Sequence, residues 1–92
     1  MGKYSIEITT DARKHLQKIR KSGDKQLIKK IEKIFIELSE NPYIGEGKPE
    51  QLRYLPGMWS RRLDKKNRLR YMVNDDIITV FVVSALGHYD DK

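Results

Sequence analysis

Hydrophobic residues recur with a helical period between positions 27 and 38. The apolar positions there are Leu27, Ile28, Ile31, Ile34, Phe35 and Leu38. Lysines and glutamates fill the positions between them, so the stretch predicts an amphipathic helix. We expect this helix to end at Asn41, because the residue before a proline avoids the helical region of backbone space.

A second, thinner apolar stripe precedes it. Ala12, Leu16 and Ile19 follow helical spacing, and Thr9 or Thr10 is suited to cap a helix that begins near residue 11. The Ser-Gly pair at 22–23 is expected to end this helix. The two helices are therefore predicted to form a hairpin, with the two apolar stripes facing a common core.

Strand patterns occupy the rest of the chain. Residues 4–9 alternate with period two, and further strands are predicted at 51–55, 58–63, 68–73 and 77–86. The stretch 43–50 reads as a loop, because Gly45, Gly47 and Pro49 interrupt it. The order β-α-α-β-β-β-β predicts an α+β fold with a helical hairpin packed on a mainly antiparallel sheet. A chain of 92 residues is expected to form a single domain, 1–92.

Charge and composition narrow the classes of function. The chain carries 19 Lys and Arg against 13 Asp and Glu, a net charge of +6, which attracts polyanions such as RNA and DNA. The absence of cysteine excludes disulfides and thiolate chemistry. No stretch approaches the roughly 20 apolar residues that span a bilayer, and the first residues lack a signal-peptide core. We therefore expect a cytoplasmic protein with no membrane partner.

The sequence offers little to a metal or a cofactor. It contains no glycine-rich phosphate loop, no HExxH helix and no serine elbow. Its two histidines, His15 and His88, are far apart and have no cysteine near them, so we predict no metal site and no cofactor. His15 is expected at the surface of the first helix, or at its boundary with the core.

Arginines cluster in two of the predicted strands. Alternation puts Arg62, Arg68 and Arg70 on the face opposite to Leu63 and Leu69, which is the outer face if the leucines enter the core. Guanidinium groups bind phosphate through paired hydrogen bonds, so this face suits an RNA backbone. A solvated face of an ordinary sheet is the alternative for the same pattern.

Arg61 does not fit the outer cluster. Strict alternation places it on the core side together with Trp59, and we expect an edge position or a bulge to release it. Read singly, Glu50 is a solvated loop acid, and His88 and Tyr89 belong to a frayed tail.

A carboxylate, an imidazole and several guanidinium groups together match one reaction. In RNA cleavage by the 2′-hydroxyl, a base such as Glu50 removes the 2′-OH proton and an acid such as His88 protonates the departing 5′-oxygen. Arginines stabilise the charge that grows on the phosphorus centre. DNA lacks the 2′-OH and would not react in this way.

Four short blocks resemble a known family. They are GKPEQL at 47–52, GMWSRRL at 57–63, NRLRY at 67–71 and the pair His88-Tyr89. Their order and spacing are similar to those of the YoeB/Txe branch of the RelE/ParE toxin superfamily. The resemblance implies a microbial-ribonuclease-like fold and metal-independent cleavage of mRNA in the ribosomal A site.

The resemblance also implies residue roles and partners. Glu50 looks like the general base, His88 like the general acid and Arg68 like a transition-state residue. The expected substrate contacts are Lys48, Arg53, Arg62 and Tyr89. The implied partners are mRNA on the 70S ribosome and a cognate antitoxin whose disordered segment folds over the toxin. Operator DNA would be bound indirectly, through the toxin–antitoxin complex.

Two departures and two alternatives accompany the resemblance. The chain continues past His88-Tyr89 with Asp90-Asp91-Lys92, and Asn67 stands where a histidine often precedes the arginine; we expect Asn67 to serve the turn. One alternative is a ParE-like inhibitor that blocks DNA gyrase without hydrolytic chemistry. The set Glu50, Arg68 and His88 argues against it, since an inhibitor needs no acid–base pair. The other is an RNA-binding relative that has lost catalysis.

Overall fold

Two helices and five strands make up the described part of the chain. A computed structural model describes residues 3–45, 47–53 and 57–85. The elements are β1 (Ser5–Ile8), α1 (Thr10–Ser22), α2 (Lys25–Glu40), β2 (Glu50–Gln51), β3 (Met58–Arg62), β4 (Arg68–Asn74) and β5 (Thr79–Ser84). This order confirms the predicted α+β arrangement.

Both helices begin at a side-chain cap. The Thr9 hydroxyl accepts the N–H three residues on, and Asp24 does the same for α2. The predicted ends also hold: α1 stops before Gly23, and the last residue of α2 precedes Asn41. Within the described residues, neither helix is long and apolar enough to cross a bilayer.

The strands form a mixed sheet in the order β1-β5-β4-β3-β2. β2, β3, β4 and β5 pair antiparallel with their neighbours, whereas β1 pairs parallel with β5, Ser5 opposite Thr79. The mainly antiparallel sheet is therefore confirmed. A register shift at Arg70/Tyr71 marks an irregularity in the β4–β5 ladder.

The helices cover one face of this sheet and form the core with it. α1 packs against β5, and α2 packs against β1. The buried hydrophobic residues come from both layers: Ala12, Ile19, Leu27, Ile31, Ile34, Leu38, Leu63, Leu69, Tyr71, Val80, Val82 and Ala85. The opposite face of the sheet is left without a helical layer by the described elements.

All five strands differ from their predicted bounds, but β1, β3 and β4 do so by only one residue at one or both ends. The last strand begins at Thr79 rather than at 77, because Asn74 accepts the N–H groups of Asp76 and Ile77 and closes a turn. Ile78 follows with a φ of 49°, which an extended strand does not allow. β2 is only two residues long. Its predicted end at 55 and the predicted end of the last strand at 86 lie outside the described residues.

Candidate active site

The face of the sheet opposite to the helices carries the arginine cluster. In register, Arg62 lies opposite Arg68, and Ser60 lies between Arg70 on one side and Glu50 on the other. Leu63 and Leu69 are buried in the core, so alternation turns the three arginines outward. The predicted outer face is thus confirmed, and Glu50 joins it from the edge strand.

An open cleft of about 310 Å³ lies at the edge of this face. Its lining residues are Gly47, Lys48, Pro49, Glu50, Arg62 and Arg68. An Arg68 guanidinium nitrogen lies 3.6 Å from the Glu50 carboxylate and 3.4 Å from the Ser60 hydroxyl. The Glu50 side chain is 69% exposed and that of Arg68 30% exposed, so a substrate can reach both.

The charges in the cleft suit an anion. Lys48, Arg62 and Arg68 face a single carboxylate, that of Glu50, among the described lining residues. Guanidinium pairs bind phosphate oxygens with directional, charge-assisted hydrogen bonds. Arg70 lies one row away, where its Nε donates to the Ser84 hydroxyl at 2.7 Å. The cleft can therefore hold a phosphodiester with a carboxylate beside it.

A glycine brings the loop onto β3. Gly47 has a φ of 83°, and its carbonyl accepts the Arg62 N–H at 2.8 Å. A Cβ atom at this position would lie 2.6 Å from the Arg62 carbonyl oxygen, a distance that requires the backbone to move. The close approach places Lys48 and Glu50 next to Arg62, so the cleft depends on this glycine.

Arg61 is buried rather than released, and the expected edge position or bulge is wrong. Its guanidinium donates to the Glu37 carboxylate at 2.7 Å, to the carbonyls of Ile44 and Pro42 at 2.7 and 3.2 Å, and to the Tyr71 hydroxyl at 3.1 Å. Tyr71 in turn donates to the Pro42 carbonyl at 2.7 Å. The core side has room for this arginine because these polar groups satisfy it.

The buried cluster anchors the loop that leads into the cleft. Arg61 ties the backbone of residues 42–44 to helix α2 through Glu37. Burial raises the pKa of Tyr71, although the neighbouring Arg61 opposes the shift. The sequence analysis did not predict this role. The alternation pattern indicates it, however, because a charged residue on the core side of a strand needs a buried partner.

A second polar cluster fastens the same stretch of this loop to the rest of the sheet. Tyr4 and Tyr43 donate hydrogen bonds to the Asp75 carboxylate at 2.6 and 2.7 Å. These bonds lower the pKa of Asp75, and the bond to Asp75 raises the pKa of Tyr4. The pKa of Tyr43 is raised mainly by burial, and the hydrogen bond to Asp75 raises it further. The ring of Tyr43 also packs edge-on against Trp59, with centroids 5.2 Å apart.

The expected site residues fall into three groups. Lys48, Glu50, Arg62 and Arg68 meet in the cleft, as described above. Arg53 is exposed in the turn after β2 and is not among the lining residues. His88 and Tyr89, like Asp90-Asp91-Lys92, lie outside the described residues.

Two further polar residues have structural partners. His15 is half-buried, and its Nδ1 accepts the Ala85 N–H at 3.1 Å, which places it at the predicted boundary of the first helix. Asn67 donates to Asp64 through its backbone and its side chain, at 2.7 and 3.2 Å, so it serves the β3–β4 turn as expected. Among residues 3–45, 47–53 and 57–85, no group of three or more His, Asp or Glu is placed to hold a metal ion.

Together the fold and the cleft define a small basic α+β domain with a cationic cleft at an open sheet face. A model of the YoeB-like toxins of bacterial type II toxin–antitoxin systems matches residues 5–89. The chain therefore belongs to this toxin family.

Individual relatives agree with this assignment. Toxin YoeB of Escherichia coli O6:H1 is 40% identical over 67 residues, which cover 72% of this chain and 77% of that protein. The YoeB/ParE toxin from Agrobacterium tumefaciens has a similar structure, with a TM-score of 0.84, 26% identity, and coverage of 92% and 99%. A chain of the YoeB-YefM complex from Staphylococcus aureus is also similar, with a TM-score of 0.74 and 31% identity. The match covers 94% of this chain and 98% of that chain.

Proposed function

We propose that this toxin is a ribosome-dependent endoribonuclease that cleaves mRNA in the A site. The observation that supports the proposal is the shared cleft, in which the Glu50 carboxylate lies 3.6 Å from the Arg68 guanidinium and Lys48 and Arg62 complete a cationic wall. A base next to phosphate-binding groups is the arrangement that 2′-hydroxyl attack requires.

In the proposed reaction the substrate supplies its own nucleophile. Glu50 removes the 2′-OH proton, and the 2′-oxygen attacks the adjacent phosphorus. The bond from phosphorus to the 5′-oxygen breaks, and His88 gives that oxygen a proton, leaving a 2′,3′-cyclic phosphate and a free 5′-OH. Arg68 and Arg62 bind the phosphate oxygens whose charge grows in the transition state. Arg53 and Tyr89 would hold neighbouring parts of the RNA.

Partners follow from the same proposal. The related YoeB of Staphylococcus aureus forms a complex with YefM, and we expect a cognate antitoxin to cover this toxin in a similar way. An antitoxin segment that folds on binding can occupy the cleft and exclude RNA. The toxin would act in the cytoplasm and meet operator DNA only through the antitoxin complex.

The acid–base pair provides the test. Glu50→Gln and His88→Gln are each expected to slow cleavage of translated mRNA by roughly 10²–10⁴-fold, measured by primer extension on ribosome-bound message. Lys29→Gln, on the exposed side of α2, removes a positive charge away from the cleft and should leave the rate unchanged. No step of the proposed reaction uses a metal ion.

The opposite result is equally clear. If both variants stop growth as strongly as the wild type and DNA supercoiling by gyrase is inhibited, the protein is a gyrase inhibitor. If the wild type binds ribosomal complexes without cutting the message, it is an RNA-binding relative that has lost catalysis.

A further inference from the structure

An apolar row crosses the open face of the sheet next to the cleft. Met58 lies opposite Met72, and Met72 lies opposite Phe81 on the next strand. Leu52 extends the row at the β2 edge, where its N–H donates to the Met58 carbonyl at 2.8 Å. The row ends at Phe81 on the other side, because the β1 residue opposite Phe81 is Glu7. We call Leu52, Met58, Met72 and Phe81 the apolar row.

Among the described residues, packing on the hydrophobic core does not account for the apolar row. None of its four residues belongs to that core or to the partly buried residues packed against it, although Leu52, Met58 and Phe81 are half-buried. Met72 is 40% exposed. Strands with one face on the core normally present polar side chains on the other, and an apolar strip that violates this alternation marks a binding surface.

The apolar row runs beside the polar groups of the cleft. Two residues along each strand, roughly 7 Å away, the next row holds Glu50, Ser60 and Arg70 in register. Two residues further, Arg62 faces Arg68. The same face thus changes from cationic to apolar across three successive rows, and the change occurs on the strands that build the cleft.

We propose that the apolar row receives the bases of single-stranded RNA whose phosphates lie in the cleft. A single strand has a charged backbone on one side and flat apolar base faces on the other, which matches the two sides of this sheet face. Bases stack on aromatic rings such as Phe81, and the thioethers of Met58 and Met72 adapt to flat ring surfaces. This subsite rests on the proposed function, because it places the RNA by the phosphate in the cleft.

The continuity of the two surfaces favours RNA over a protein segment as the occupant. Arg70 lies between the apolar row and the Arg62–Arg68 pair, so a ligand that covers the row passes directly over guanidinium groups. The chain has a net charge of +6, which complements a polyanion. A double helix keeps its bases stacked inside and does not present their faces to a flat sheet, so the subsite selects an unpaired strand.

Binding of two matched oligomers tests this inference. One is a short single-stranded RNA with 2′-O-methyl groups, which cannot be cleaved because it has no free 2′-hydroxyl. The other has the same backbone without bases. We expect the wild type to bind the base-bearing oligomer at least about tenfold more tightly, the gain typical of one stacked base. Met72→Ser and Phe81→Ser should remove most of this ratio and leave affinity for the abasic backbone unchanged.

Ile36→Ser is the matched control, because Ile36 is an apolar residue on α2 that is 61% exposed and lies on the helical layer. It should keep the full ratio. Met72 is already exposed, so its variant tests the inference even if truncation of Phe81 prevents folding, as judged by thermal unfolding.

Two results would overturn the inference. One is a wild type that shows no preference for bases; the other is an unchanged ratio in folded variants of the apolar row. If those variants instead lose only antitoxin binding, the row is a protein-docking face. The proposed function fails separately: a protein that prefers base-bearing RNA but never cuts mRNA keeps this subsite and loses the nuclease proposal.

Discussion

A buried guanidinium group carries a large desolvation cost, and Arg61 shows how the chain offsets it. The side chain is fully buried, yet one carboxylate, two carbonyls and one hydroxyl accept its hydrogen bonds. Its guanidinium carbon also lies 5.7 Å from the centre of the Tyr71 ring. Removing one partner of a buried ion pair is strongly destabilising.

We predict a large loss of stability for Arg61→Met. Glu37, whose side chain is only 24% exposed, loses its ion pair with Arg61, and the carbonyls of Pro42 and Ile44 each lose a hydrogen bond. The free energy of unfolding should fall by about 3–5 kcal/mol, measured by urea denaturation. This is a large part of the roughly 5–15 kcal/mol that stabilises a domain of ordinary stability.

The neighbouring Arg62→Met is the control, because Arg62 is exposed in the cleft and its loss should change stability by less than about 0.5 kcal/mol. Arg61→Lys keeps the charge but has fewer hydrogen-bond donors, so its free energy of unfolding should lie between those of Arg61→Met and Arg62→Met. Equal stability of Arg61→Met and Arg62→Met would show that the buried network contributes nothing.

At the scale of elements, the loop between α2 and β2 is held by backbone contacts at several points. The Arg61 network fixes residues 42–44, and Gly47 contacts the Arg62 backbone. The second contact allows no side chain at Gly47, whereas a Cβ atom at Gly57 would meet no described residue within 4 Å. The two glycines share a positive φ, 83° and 80°, so they differ mainly in surrounding space.

This pair yields a prediction for the cleft. Gly47→Ala and Gly57→Ala should both carry backbone strain of about 1 kcal/mol. Gly47→Ala should cost about 1–3 kcal/mol more, because its Cβ atom displaces the Arg62 backbone, and mRNA cleavage should fall with it. Urea denaturation and the cleavage assay together check this, and equal effects of the two substitutions would contradict the role given to Gly47.

Local sequence patterns predict where the helices and strands lie better than they predict which strands pair with each other. The α2 stripe and its end before Pro42 depend on neighbours within a few residues, so periodicity and backbone sterics suffice. The parallel pairing of β1 with β5 depends on residues more than 70 positions apart, and no local pattern encodes it. Ile77 and Ile78 looked like strand because they are β-branched, but the Asn74 side chain closes a turn there.

The candidate site could be predicted only in part, because some of its contacts join residues that are far apart in the sequence. Alternation placed Arg62 and Arg68 on the outer face without knowledge of the fold. The position of Glu50 beside them required the register of β2 on β3. The buried contact between Arg61 and Glu37 required the location of helix α2, which alternation within one strand does not contain.

At the scale of the whole molecule, the Asp75 cluster joins three distant parts of the chain. Tyr4 precedes β1, Tyr43 lies in the loop before β2, and Asp75 lies in the turn between β4 and β5. The first strand, the loop and the β4–β5 hairpin are therefore fastened to each other at one end of the sheet.

The pKa shifts of this cluster predict the pH dependence of stability. The pKa of Asp75 is lowered from 3.8, chiefly by the hydrogen bond from Tyr4 and then by that from Tyr43. Its stabilising contribution is therefore present above about pH 4 and lost as pH falls below that value. The pKa values of Tyr4 and Tyr43 are raised from 10.0, so their contribution is complete below pH 10 and lost as pH rises through the raised values.

Asp75→Asn should flatten the acid side of this profile, because the asparagine side chain does not titrate. Urea denaturation at a series of pH values measures the change. Burial opposes ionisation of Asp64, but hydrogen bonds from the backbone of Lys66 and Asn67 and from the Asn67 side chain together lower its pKa. Asp64→Asn therefore shows how much of the acid loss arises elsewhere. A profile for Asp75→Asn identical to that of the wild type would exclude the cluster as a source.

The parallel pairing of β1 with β5 has a consequence for the timing of synthesis. β1 is made early, but its partner strand ends at Ser84, more than 70 residues later. At 5–20 residues per second the growing chain spends roughly 4–15 s with β1 unpaired. The five-stranded sheet cannot be completed until that last partner has left the ribosome, whereas the residues that line the cleft precede it in the chain. β1 therefore waits seconds for its partner strand, and during that interval its unpaired backbone N–H and C=O groups are open to other molecules in the cell.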